Sequence, residues 1–244
     1  MTLPSLSPDG TLLLPVRHGG QVGQLTDTAV AVARSLGLSI ELLSVIGPDD
    51  DSEAHLQRLV EVALDLSGAT AQACAVRVVV SEHVLETVIA ESANRLVCMP
   101  TSASPHADLH YVGSHAAALL AESTAPVLLV GPSVDPQAAA TEVVAAVSGE
   151  IESTSVIPYA ARLSRTLGLP LSTIHVQGPD SATRPDANDH LRIWFPGELH
   201  TTLDVEAVAG ADVATALADR AETAIVAVMT HARQGLAWIA EGSI

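Results

Sequence analysis

The chain has 244 residues, of which 48% are hydrophobic but only 2% aromatic, and it carries a formal charge of −17. Its 11 basic residues are all arginine, set against 28 Asp and Glu. Nucleic acid and anionic lipid are held largely through Lys and Arg, so neither is an expected partner.

The core must be built from Ala, Val, Leu and Ile, and the length suits two domains of about 120 residues. The opening "MTLPSLSPDG" lacks the charged flank and apolar run of a signal peptide. No stretch approaches the ~18 apolar residues that a membrane-spanning helix needs. Cys74 and Cys98 lie in apolar runs without CxxC spacing and read as buried thiols rather than redox or metal ligands. The expected location is the cytoplasm.

In chain order, "TLLLPV" (11–16) is a strand ending at a Gly-rich turn, and "LTDTAVAVARSLG" is an amphipathic helix stopped by Gly37. "LSIELLSVI" reads as an alternating strand. "DSEAHLQRLVEVALDLSGA" is a second helix, "ACAVRVVV" a strand, "EHVLETVIAESA" a helix and "NRLVCMP" a strand. The order then begins again. "TEVVAAV" is a strand, "STSVIPYAARLSRTLG" a helix closed by Gly168, and "LPLSTIHV" a strand. "TTLDVEAV", "ADVATALADRAE" and "TAIVAVM" supply a strand, a helix and a strand. An internal repeat of about 130 residues organises the chain. Alternating strands and helices imply parallel βαβ units with helices on both sheet faces. Residues 177–200 break the match with an acidic stretch carrying Trp194 and Phe195.

The helix–strand block "PYAARLSRTLGLPLSTIHV", the ending "APVLLV", and a Gly-Ser one loop after the fourth strand of each copy resemble the universal stress protein family in tandem form. The resemblance covers roughly residues 11–131 and 141–244. It implies an α/β fold of two tandem Rossmann-like, adenine-nucleotide-hydrolase-like domains, each an open, mostly parallel sheet with helices on both faces. The first domain is placed at 1–132, a linker at 133–140 and the second domain at 141–244. The second copy stops at its Gly-Ser, so it is expected to lack a last helix and strand.

Nucleotide-binding members of that family hold phosphates on a G-x-x-G-x9-G-[S/T] loop, whose glycines let the backbone approach the anion at a helix N-terminus. In the first copy Gly113 and Ser114 match the final pair, but Pro100 and Ala103 stand at the leading glycines. In the second copy Gly242 and Ser243 match, while Met229 and Ala232 replace the glycines. An aspartate that contacts the nucleoside at the end of the first strand is replaced by Arg17 and by Ser148. The resemblance therefore implies a vestigial phosphate loop at Gly113, Ser114, Gly242 and Ser243, with no ATP or other cofactor. A nucleotide-binding protein using an altered loop is the alternative. The family's last strand typically pairs antiparallel with its counterpart, so a homodimer through residues 125–131 is expected.

The remaining motifs are weaker. "HGGQVG" (18–23) sits between a strand and a helix but has only two glycines of G-x-G-x-x-G, so it reads as a turn rather than the site of a Rossmann-like enzyme. Arg17 beside Gly19 and Gly20 still offers a weak anion contact. His106 and His110 have helical spacing but no HExxH glutamate, and "HYVGSH" is no G-x-S-x-G elbow, so no metal site and no catalytic residue is expected. The acids 49–51 read as a charged loop before a helix N-terminus.

Overall fold

The computed structural model describes residues 6–16, 23–70, 74–100, 114–130, 140–147, 155–177, 205–209, 217, 219–221 and 223–229. Contacts divide the chain into two compact units, one spanning Leu6–Gln137 and the other Ala138–Thr230.

The N-terminal unit alternates strand and helix: β1 (Thr11–Pro15), α1 (Gly23–Leu36), β2 (Ser39–Ile46), α2 (Ser52–Thr70), β3 (Cys74–Val80), α3 (Val84–Glu91), β4 (Leu96–Pro100), α4 (Ser114–Glu122) and β5 (Val127–Val130). All four pairings are parallel, in the order β3-β2-β1-β4-β5. Leu12, Leu13 and Leu14 are consecutive and all fully buried, because a central parallel strand is covered on both faces. Leu12 and Leu14 meet Ala29 and Ala33 of α1 and Leu59, Ala63 and Leu66 of α2. Leu13 faces the other way, towards Val88 of α3 and Leu119 of α4. β2 departs from the expected alternation, since Leu42, Leu43 and Ser44 are buried in succession. It too is an inner strand, and both its faces are covered.

Local chemistry sets the ends of these elements. The hydroxyl of Ser7 donates to the Thr11 carbonyl at 2.6 Å and accepts the Thr11 N–H at 3.0 Å, fixing the entry to β1. α1 ends at Gly37, whose φ of 66° is the left-handed conformation that glycine adopts without strain.

The C-terminal unit contains β6 (Glu142–Val147), α5 (Val156–Leu167), β7 (Leu171–Gln177), β8 (Val205–Ala209) and β9 (Ala224–Val228). Its strands are parallel, in the order β8-β7-β6-β9. Val156, Ile157, Ala160 and Ala161 of α5 pack on Val143, Ala145 and Val147, while Val144 and Ile174 face the opposite side with Leu217. α5 closes at Gly168, with φ 68° and its N–H turned back to the helix. No helix among the described residues is long and apolar enough to cross a membrane.

Candidate functional site

In an open parallel sheet, ligands bind beyond the carboxyl ends of the strands, at the point where the strand order reverses. In the N-terminal unit that point lies between β1 and β4, and in the C-terminal unit between β6 and β9. Strand register shows that the two places are equivalent. Leu12 pairs with Ile40 and Leu96, while Val143 pairs with Leu171 and Ile225. Equal steps along the chain from Leu96 and from Ile225 bring Pro100 and Met229 to the same position.

Pro100 is the last residue of β4 and is exposed at the end of the strand, opposite Val130. It has no N–H to offer a ligand, and its ring fixes φ. Met229 directly follows β9. Ser114 is the first residue of α4. Arg17, Gly19, Gly20, Gly113, Gly242 and Ser243, together with Ala103, Ser148 and Ala232, lie outside the described residues, as do His106, His110, Trp194 and Phe195. Of the predicted site residues, then, only Ser114 is placed by the fold.

Neighbouring features at this end of the sheet are structural. Asp50 accepts the Gly47 N–H at 2.9 Å, closing the turn after β2. Asp51 caps α2 by accepting the N–H groups of Glu53 and Ala54, both at 3.1 Å. The acidic run at 49–51 thus leads into a helix N-terminus as its sequence implies, because free N–H groups there favour an acceptor. No group of three potential metal ligands occurs among the described residues.

Both cysteines are free. Cys98 is fully buried in the core of β4, and burial pushes its thiol up to about 12. Cys74, at the start of edge strand β3, is only partly buried, against the expectation of two buried thiols; burial raises its pKa too. Neither is an activated nucleophile, which would need a lowered pKa.

Among solved structures, a universal stress protein from Archaeoglobus fulgidus matches at 20% identity, covering 87% of this chain and 83% of its own, with a TM-score of 0.66. A Pseudomonas aeruginosa protein described as a putative universal stress protein matches at 14% identity, covering 96% and 97%, with a TM-score of 0.60. The fold is that of the universal stress proteins. A functionally unknown protein from Pseudomonas aeruginosa has a TM-score of 0.62 at 16% identity, covering 96% of this chain and 89% of its own. No protein-family model and no curated protein matches the chain in sequence.

On the universal stress protein fold, a cluster of ion pairs lies at the opposite, amino-terminal edge of the first sheet. Arg95, just before β4, donates from Nε to Asp9 at 2.9 Å and from Nη1 to Glu41 at 3.3 Å. Glu91 accepts from Arg77 at 2.7 Å and approaches Arg95 at 4.0 Å. Burial lowers the Arg95 pKa, but the Asp9 hydrogen bond and the charges of Glu41, Asp9 and Glu91 outweigh it, so the guanidinium stays above its ordinary value. The second unit has its own pairing at this edge. There Glu142 accepts from Arg220 at 3.2 Å and from the Ser172 hydroxyl at 2.6 Å. Sequence reasoning missed this clustering. Its one visible signal was Glu41, an acid inside an apolar strand.

Proposed function

We propose that the protein is a non-enzymatic universal stress protein whose ATP sites have been lost, and that it acts through dimerisation or a protein partner. One observation carries the reading: Pro100 closes β4 at the switch point, where the phosphate loop of a nucleotide-binding member begins with glycine. A proline there removes a backbone donor and restricts the turn. Met229 at the equivalent place in the second unit adds a side chain where the backbone should meet phosphate. Ala103, Ala232, Arg17 and Ser148, by their sequence positions, point the same way.

Dimerisation is supported by the contrast between the two edges of the first sheet. Edge strand β3 carries Arg77, ion-paired to Glu91, which hinders another chain from adding to it. Edge strand β5, with the sequence VLLV, carries no charge. An apolar edge strand with no charge to deter pairing invites a second strand, and a second copy would meet it across a two-fold axis.

Calorimetry with Mg-ATP tests the nucleotide reading. The unmodified protein should show no binding at micromolar concentrations and no ligand-dependent rise in melting temperature. Pro100→Gly, Ala103→Gly and Arg17→Asp together should restore measurable heat. Micromolar binding by the unmodified chain would sink the reading.

A further inference from the structure

The outer surface of α2 carries an unusual apolar row. Leu56, Val60 and Leu64 stand four residues apart and are 42%, 41% and 66% exposed. Residues at that spacing share one helix face. The helix already buries a separate set, Leu59, Ala63 and Leu66, against the sheet. The exposed row is therefore additional to what folding of the domain requires. Val80 extends it. Val76 and Val78 pack in the cluster that α2 covers, so Val80 shares their face of β3, yet it is 54% exposed. It lies opposite Ile46 in the register, at the end of the sheet where the chain leaves β2 to enter α2.

The flank of this row is acidic. Glu53, Glu61 and Asp65 lie beside it at helical spacing, and all three are exposed. A second copy would bring an identical acidic row against this one, within a chain of formal charge −17. Like charges brought together in this way are unfavourable. Anionic membrane is disfavoured on the same ground.

We propose that the Leu56–Val60–Leu64 face of α2 docks an amphipathic, basic helical segment of a partner protein. The partner's apolar side chains would pack on the row, and its Lys or Arg side chains would meet Glu53, Glu61 and Asp65. Anchors spaced along one helix face are how a helix is read by a partner helix. The row spans about 12 Å, which favours a weak, reversible contact strengthened by electrostatic steering.

The test uses the full chain and a fluorescent 16-residue probe peptide of Leu, Ala and Lys with its leucines at helical spacing. A scrambled peptide of identical composition serves as the comparison. The ordered peptide should bind at least tenfold more tightly than the scrambled one, and more weakly as salt rises. Leu56→Ser/Val60→Ser/Leu64→Ser should weaken it at least tenfold. Leu64→Asp alone, at the most exposed position, serves if the triple variant does not fold. Glu53→Gln/Glu61→Gln/Asp65→Asn should weaken it several-fold, and hydrogen-exchange protection should fall on α2. Equal binding of the scrambled peptide, unchanged binding by the apolar variants, or protection elsewhere overturns the proposal. It is also overturned if the free protein self-associates in sedimentation and the apolar variants abolish that association.

Discussion

At the scale of single residues, two side chains of the first unit make contributions to stability that can be measured. Arg95 has only 19% of its side chain exposed, and its partner Glu41 only 15%. Removing one member of such a pair leaves the other charge poorly solvated, at a cost larger than the pair's net worth. Arg95→Ala should therefore destabilise the protein by about 2 kcal/mol in urea unfolding, and Glu41→Gln in the same chain should recover part of the loss. Cys98 gives a pH signature. Its folded-state pKa of about 12 is raised from 9.0, so the folded chain holds the proton more tightly than the unfolded chain does. Its contribution is complete below pH 9.0 and is lost progressively towards about pH 12, up to ~4 kcal/mol by linkage. With no lysine in the sequence, few other groups titrate there. The melting temperature should fall steeply across this window, and the fall should be shallower in Cys98→Val.

The elements are stopped by backbone chemistry more than by side-chain contacts. Gly168 ends α5 at φ 68°, and a Cβ built there would meet nothing within 4 Å. The cost of Gly168→Ala is therefore conformational, about 1 kcal/mol from forcing a left-handed residue, with no steric addition. Thermal unfolding should detect that decrease, and Gly168→Asn should lose less, because asparagine tolerates this region better. Asn94 already shows this tolerance, with φ 62° in the turn before β4. The same elements explain why β1 and β2 are buried at consecutive positions. Inner parallel strands are covered twice, whereas edge strand β3 alternates between partly buried and exposed positions.

For the whole molecule, the apolar edge strand β5 sets the expected assembly. Leu128 packs against the main core of the first unit, so an aspartate there would test folding rather than association. Leu129 joins neither core cluster, which makes Leu129→Lys the cleaner probe. Sedimentation should show a dimer for the unmodified chain and a monomer for Leu129→Lys, with melting temperatures within a few degrees of each other. A dimer unaffected by this lysine would mean that the copies meet elsewhere.

Much of this organisation was legible in the sequence because it is local. Gly37 and Gly168 stop helices through their own φ, Asp51 caps α2 from one residue away, and Pro100 lacks an N–H wherever it stands. The repeat was legible too, since the same order of strand, helix and glycine recurs, and strand register now aligns Leu12 with Val143. What the sequence left open depends on partners distant along the chain. Asp9 and Arg95 are 86 residues apart and meet only because β1 and β4 are neighbours in the sheet. The apolar positions of α2 likewise form one broad stripe in sequence. Packing on the sheet buried Leu59, Ala63 and Leu66 and left Leu56, Val60 and Leu64 in solvent. Helical periodicity determines which residues share a face, but the position of the neighbouring strands determines how much of that face is covered.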